Sequence, residues 1–402
     1  MSRAPVRVVV VGLGAWGAHV AWRLARRGAD VVGLDRHAPP HGFGSSGGAT
    51  RMFRTACLEH PDLVEVARRS DELWRGLADR SGRRLRVSDG GMLLGPPDGP
   101  VVSGARLAAR LHGLPVEVLE AADVRRRYPG HATLPDGHLA VVEPEAALLD
   151  VDQVIRGALE QARDAGARLR TGVTVRRAER RAGGVRVEWS GHGPDDGGTI
   201  DADVLVLAAG VGNAGLLPDL APGLVQAAGW RTVVMPMTFL RVDDPAGLGV
   251  DDLPVFMREL DDGRVLWGHG VLPGADPTVV KLGVEAATPL PPDGEVRPLA
   301  PQDWAPVLER APVAFPGVRA EGVTGAACPY DRTRDGQFVI GPVDDGRQVW
   351  VAGGCNAHGF KHSAGIGEAV AEGIVEGRTS LPVGAFAPDR FAGTGAHAVV
   401  GG

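Results

Sequence analysis

The sequence has few cysteines and no hydrophobic run long enough to cross a membrane. Cys57, Cys328 and Cys355 are too few, and odd in number, for a disulfide framework, which is typical of a reducing compartment. No apolar stretch approaches the length that a bilayer requires. Residues 1–6 run straight into a predicted strand without a leader-like segment, so we expect no export signal and a cytoplasmic location.

Long runs of positive charge are also missing. The net charge is −6, and the arginine clusters at 125–127 and 177–181 are short and mixed with other residues. A solvated surface explains such clusters better than a nucleic-acid interface does. We therefore expect neither a nucleic acid nor a membrane as partner, and we assign no metal site.

The chain is long enough to bury a large cofactor. It has 402 residues, of which 44% are hydrophobic and 23% charged, the balance of a soluble globular protein. This length exceeds what one ordinary hydrophobic core requires. We therefore expect two domains, which interleaved segments of the chain could build.

A strand, a glycine turn and a helix open the chain. Val8–Val11 is a β-branched run typical of a buried parallel strand. The fingerprint that follows is Gly12-Leu13-Gly14-Ala15-Trp16-Gly17. Its glycines permit a tight turn, close approach of a pyrophosphate and close packing of the next helix, whose N-terminus attracts phosphate. The segment predicts a dinucleotide site, with a βαβ unit that binds no nucleotide as the alternative.

A second strand, Val31–Leu34, ends in Asp35, and Arg36 follows. A carboxylate about twenty residues after the glycines accepts hydrogen bonds from the adenosine ribose and disfavours NADP. Buried strands resume only at Asp203–Gly210 and Val349–Gly354. A nucleotide domain assembled from such dispersed segments favours FAD over NAD.

The rest of the chain alternates short helices and strands. Helices are predicted at 61–79, 103–111, 121–128 and 151–165, and a hairpin at 87–94 with Asp89-Gly90 as its turn. Strands are predicted at 173–175, 185–189, 199–200, 232–241, 265–267 and 279–285, the later ones as an antiparallel sheet above the cofactor. The predicted fold is α/β, with a discontinuous Rossmann-type FAD-binding domain (1–82, 146–220 and 325–390) and an antiparallel-sheet substrate domain of α+β type (83–145 and 221–324).

Several motifs together resemble one enzyme family over nearly the whole chain. They are the glycine fingerprint, Arg51, Arg54, Lys281, Cys328-Pro329-Tyr330 and Gly359-Phe360-Lys361. The chain is similar to the monomeric sarcosine oxidase and N-methyltryptophan oxidase family, within the D-amino acid oxidase-like FAD-dependent amine oxidases. The resemblance implies FAD as cofactor, a small amine or amino acid and O2 as substrates, an imine and hydrogen peroxide as products, and a monomer or weak homodimer.

The resemblance also implies roles for individual residues. Cys328 would carry the flavin covalently, although a cysteine there is also a common buried apolar residue. Arg54 and Lys361 would hold the substrate carboxylate, the alternative for Arg54 being a surface arginine. Lys281 would activate oxygen, the alternative being a strand-edge lysine that deters aggregation.

Further residues are candidates around the flavin ring and the substrate. Arg51 would lie beside the flavin, with Ser45 and Thr50 as cofactor contacts and Trp267 and Tyr330 as substrate contacts.

The sequence departs from the family pattern at four places. Glu285 replaces a histidine, Asp331 a threonine-like hydroxyl, Ala357 a glycine, and Ser45-Ser46 a histidine pair. Glu285 and Asp331 are candidate catalytic residues that could face a basic or polar substituent, although Asp331 could instead bind Arg332 or backbone. These departures favour a primary or cyclic amino acid over sarcosine. A flavin-dependent dehydrogenase and a non-catalytic nucleotide-binding protein are two further hypotheses.

Overall fold

The computed structural model describes residues 4–193, 196–290 and 296–392. The strands in these ranges are β1 (Arg7–Val11), β2 (Asp30–Asp35), β3 (Thr50–Phe53), β4 (Arg86–Gly95), β5 (Glu117–Glu120), β6 (Leu139–Asp150), β7 (Arg168–Thr171), β8 (Thr174–Arg181), β9 (Gly184–Ser190), β10 (Gly197–Ala202), β11 (Val204–Leu207), β12 (Arg231–Arg241), β13 (Val255–Glu259), β14 (Val265–His269), β15 (Val279–Val284), β16 (Thr288–Pro289), β17 (Thr324–Arg332), β18 (Val339–Pro342) and β19 (Val349–Gly353). The α-helices are α1 (Ala15–Arg26), α2 (Leu63–Ser81), α3 (Pro100–His112), α4 (Ala121–Arg127), α5 (Val151–Asp164), α6 (Asn213–Leu220), α7 (Leu224–Ala227), α8 (Pro301–Ala314) and α9 (Ser363–Val375).

A six-stranded sheet in the order β18-β19-β11-β1-β2-β7 forms the nucleotide-binding half. All neighbours pair in parallel except β18 and β19, which are antiparallel. Val8 to Val11 of β1 are buried because hydrophobic clusters cover both faces of the sheet. Helix α1 packs against α5 and α9 on one of these faces. This is the Rossmann-type arrangement that the sequence predicted, assembled from dispersed segments.

A ten-stranded sheet in the order β16-β12-β15-β14-β13-β4-β6-β3 holds most of the second half, with β17 added beside β12 and β5 beside β6. Its pairs are antiparallel except β4 with β13. A separate three-stranded sheet contains β8, β9 and β10. The predicted fold class is confirmed. Because β3 and β17 pair in the large sheet, that sheet runs across the proposed domain boundaries, which stay a prediction.

The predicted hairpin at residues 87–94 is wrong. These residues form the single long strand β4, which pairs with β6 on both sides of Asp89-Gly90. The register shifts between Asp89 and Gly91, and Gly90 has φ +82°. The Asp-Gly signal therefore marks a β-bulge, which uses the same left-handed glycine as a tight turn does.

In the described part of the chain, no helix combines the length and apolar character that crossing a bilayer requires.

Candidate active site

A cavity of about 960 Å³ lies where the carboxyl ends of the parallel strands meet the large sheet. Its walls include most of the sequence-predicted site residues: Gly12, Gly14, Ala15, Trp16, Asp35, Arg36, Ser45, Thr50, Arg51, Arg54, Trp267, Lys281, Glu285, Cys328, Tyr330, Asp331 and Lys361. Leu13 and Gly17 do not line it. Open α/β sheets bind ligands at this end of the strands.

The glycine turn packs so closely on neighbouring backbone that two of its positions have no room for a side chain. Gly12 has φ +89°, and a Cβ there would lie 2.5 Å from the carbonyl oxygen of Ala208. A Cβ on Gly17 would lie 1.8 Å from the carbonyl oxygen of Gly12, so this glycine lets α1 pack against the turn. The Asp35 carboxylate accepts hydrogen bonds from the backbone N–H groups of Leu13 (2.7 Å) and His37 (2.8 Å). Asp35 therefore fixes the turn as well as lining the cavity.

Arg51 joins the loop at residues 42–48 to Cys328. Its guanidinium donates to the carbonyl oxygens of Ser45 (2.9 Å) and Gly47 (2.6 Å), and lies 3.7 Å from the Cys328 Sγ. Burial raises the pKa of the Cys328 thiol, while Arg51 and Lys281 oppose that rise. The thiol thus lies on the cavity wall beside a cation that favours its thiolate form.

The Lys281 ammonium is anchored by strand β3 and the residues before it. It donates to the carbonyl oxygens of Gly48 (2.6 Å) and Thr50 (2.9 Å) and to the Thr50 Oγ1 (3.1 Å). The Thr50 Oγ1 also lies 3.0 Å from the His269 Nε2. Burial lowers the pKa of Lys281 well below its usual range, and Arg51 lowers it further.

Arg54 and Lys361 converge on one carboxylate. The Glu59 Oε1 lies 2.6 Å from the Arg54 Nη2 and 2.9 Å from the Lys361 Nζ. Burial alone would raise the pKa of Glu59, but the two cations hold it well below its usual range. All three groups line the cavity, so the pair of cations already binds a carboxylate there.

Asp331 lies at the edge of the cavity and is fixed by polar contacts. Its Oδ1 accepts a hydrogen bond from the Thr232 hydroxyl (3.0 Å), and its carbonyl oxygen accepts one from the Asn356 N–H (2.9 Å). Burial raises the pKa of Asp331 to about 7. No ion pair with Arg332 forms within the described ranges.

Sequence reasoning missed Glu59 and His269. Glu59 follows Arg54 in a loop, where no helical or strand periodicity indicates which side chains meet. His269 ends β14, and its pairing with Lys281 depends on the register of β14 against β15. Burial lowers the pKa of His269 to about 3, so it is neutral in its contact with Thr50. In the part of the chain that the structure describes, no cluster of three or more metal-ligating side chains occurs.

The glycine turn, the large cavity and the arrangement of the six-stranded and ten-stranded sheets define a class of protein. The sequence profile of the family "FAD dependent oxidoreductase" matches residues 7–373 of the chain. The chain belongs to this family of FAD-dependent oxidoreductases.

Monomeric sarcosine oxidases and N-methyl-L-tryptophan oxidase are among the proteins to which the chain is similar. The chain is 30% identical over 387 residues to monomeric sarcosine oxidase of Bacillus sp. (strain B-0618), covering 95% of each chain. It is 31% identical over 403 residues to monomeric sarcosine oxidase of Streptomyces avermitilis, covering 96% of this chain and 97% of the relative. It is 27% identical over 392 residues to N-methyl-L-tryptophan oxidase of Yersinia pestis (strain Pestoides F), with 96% and 99% covered.

The fold is also similar to solved structures. NikD, an amino acid oxidase essential for nikkomycin biosynthesis, superposes in its open form with a TM-score of 0.79 and 26% sequence identity. The match covers 96% of this chain and 98% of the NikD chain.

Proposed function

We propose that the protein is an FAD-dependent oxidase of a small amino acid, which oxidises the C–N bond of a secondary or primary amine to an imine and reduces O2 to hydrogen peroxide. The observation that carries this proposal is the convergence of Arg54 and Lys361 on a carboxylate in the same cavity as the glycine turn. The names of the sequence relatives agree with this substrate class. The three free cysteines support a cytoplasmic location, and we propose a monomer or weak homodimer.

The residues along the cavity fit FAD. The glycine turn and the N-terminus of α1 would hold the pyrophosphate, with Asp35 and Arg36 towards the adenosine and Arg51 with Thr50 towards the flavin ring. When bound, the flavin supplies the two-electron chemistry, which no side chain can provide.

Arg54 and Lys361 would orient the substrate through its carboxylate. An arginine fork binds both oxygens of a carboxylate, and a lysine adds a point charge. Two cations facing one Glu59 leave one positive charge in excess, which a second carboxylate would balance. A substrate carboxylate would therefore either join this cluster or displace Glu59 from it.

Lys281 would serve the reaction with oxygen. Its ammonium is anchored on Gly48 and Thr50, next to Arg51 at the start of β3. A fixed cation favours negative charge developing on oxygen as electrons reach it.

We also propose that FAD is attached to the Cys328 Sγ by a thioether. The thiol is on the cavity wall, 3.7 Å from an Arg51 nitrogen. Acid precipitation of the protein should leave the yellow colour in the pellet, and Cys328→Ser should move it to the supernatant. Cys57→Ser is the matched control, because that buried thiol does not line the cavity and should not affect attachment. Colour in the wild-type supernatant would contradict the linkage.

A second candidate function is that of an oxidase of a cyclic or primary L-amino acid in a biosynthetic reaction. This candidate is supported by Glu285 and Asp331, where the sequence departs from the family pattern, and by the similarity to the biosynthetic oxidase NikD. A panel of glycine, sarcosine, N-methyl-L-amino acids, L-proline and L-pipecolate, assayed for peroxide under air, separates these substrates. Peroxide from none of them, together with reduction of an added electron carrier, would favour a dehydrogenase.

A further inference from the structure

The Glu285 side chain is an unpaired carboxylate on the cavity wall. Its backbone N–H donates to the carbonyl oxygen of Val265 (3.0 Å), which continues the β14–β15 ladder. Within residues 4–193, 196–290 and 296–392 the carboxylate has neither a hydrogen-bond nor an ion-pair partner. The side chain is open to the cavity instead of packing against protein.

The geometry of strand β15 fixes the spacing between Glu285 and Lys281, the lysine proposed to serve the reaction with oxygen. Alternation along β15 directs Lys281, Gly283 and Glu285 to one face. A Cβ on Gly283 would lie 2.2 Å from the indole ring of Trp267, so this ring covers the glycine. The wall therefore presents a cation, an indole and a carboxylate in order, over about 13 Å at the usual strand rise.

Once a substrate carboxylate is bound, Arg54 and Lys361 leave no positive charge in excess for Glu285. Glu59 and one substrate carboxylate would together balance Arg54 and Lys361. Burial raises the pKa of Glu285, and Glu59 raises it further, while Arg54, Arg332 and Lys361 oppose the rise. The Glu285 carboxylate is exposed to the cavity, so a ligand that fills the cavity removes it from water, and this is unfavourable unless the ligand brings a positive charge to it.

We propose that the amino acid substrate carries a second, cationic group at the end of its side chain, and that Glu285 binds this group beside the Trp267 indole. The proposal rests on the proposed function, since Arg54 and Lys361, the carboxylate clamp, give the substrate its orientation. An ammonium or guanidinium group would gain both the carboxylate and the face of the indole, which attracts cations. An aliphatic side chain of equal length would gain only the indole surface.

The test compares Nα-methyl-L-lysine with N-methyl-L-norleucine, which match closely in chain length and differ in the terminal charge. Binding is measured on the intact holoenzyme without oxygen, from the immediate perturbation of the flavin spectrum. We expect the lysine derivative to bind at least about tenfold more tightly, the lower range for a close charge pair. Glu285→Gln should bring the two affinities close together, and Glu285→Lys should favour N-methyl-L-glutamate. Glu321→Gln, on the exposed surface, should keep the wild-type ratio.

Three results would overturn the proposal. They are equal wild-type affinities, a preference that persists in Glu285→Gln, and an equal loss for both probes, which would put Glu285 at the shared α-amine. Glu285→Asp covers the case in which the glutamine variant does not fold, because it should keep the preference in weaker form. Failure of the proposed function gives a different result, namely that no amino acid reduces the flavin, whatever the ratio of affinities.

Discussion

Lys281→Met is expected to slow reoxidation of the reduced enzyme by oxygen about 10²- to 10³-fold, the usual loss when one preorganised electrostatic group is removed. Reduction by the amino acid should change only a few-fold, because the ammonium bonds to Gly48 and Thr50 instead of the clamp residues. Rapid mixing measures the two half-reactions separately.

Two controls separate a charge effect from a folding defect. Methionine removes one of two donors at each carbonyl oxygen, since Gly48 also accepts from the Thr50 N–H and Thr50 from Arg51, so the melting temperature and flavin content must be compared. Lys281→Arg keeps the positive charge and should retain much of the oxygen reaction. Equal losses in both half-reactions would show that Lys281 binds substrate or only supports the fold.

Arg54→Ala should weaken substrate binding by about 2–5 kcal/mol, the range for removing one partner of a buried, hydrogen-bonded charge pair. This corresponds to about 30- to 5,000-fold in Kd. The remaining Lys361 would face Glu59 alone, which leaves no excess positive charge for a second carboxylate. Lys361→Ala should weaken binding less, since the arginine fork can hold both carboxylate oxygens. Anaerobic titration of the flavin spectrum measures each Kd.

Glu59→Gln is expected to strengthen carboxylate binding, whereas Arg54→Ala is expected to weaken it. It removes the internal carboxylate while keeping its shape, so simple carboxylate inhibitors should bind more tightly. Substrates whose carboxylate is converted to an amide should bind poorly to the wild type. The Arg54→Ala substitution should weaken their binding only slightly further. Normal substrate affinity in Arg54→Ala would mean that another group orients the substrate.

The elements that depend on a local residue pattern could be predicted from the sequence alone. Val8–Val11 contains no polar residue because both sheet faces are covered, and Gly12 and Gly17 stand where a Cβ would collide with backbone. Helix α8 was not predicted, since Pro306 and Pro312 lie inside it. Proline usually ends or kinks a helix, so tertiary packing overrides the local signal there.

The site depended on contacts that sequence spacing does not reveal. Lys281 meets Thr50 across 231 residues, and Lys361 meets Glu59 across 302. The family resemblance named the two lysines, but their protein partners follow only from how the sheets are arranged. Glu59 in particular has no motif around it, and it changes the charge balance of the clamp.

The central claim is that an amino acid reduces the bound flavin and that oxygen then takes the electrons. The direct measurement mixes the holoenzyme with an excess of each candidate amino acid without oxygen, follows the flavin absorbance, and then admits a known amount of O2. The account predicts bleaching that requires the substrate carboxylate, followed by recovery of the oxidised spectrum and one hydrogen peroxide for each imine formed. Bleaching by the decarboxylated amines as readily as by the amino acids, or no bleaching by any amino acid, would contradict it.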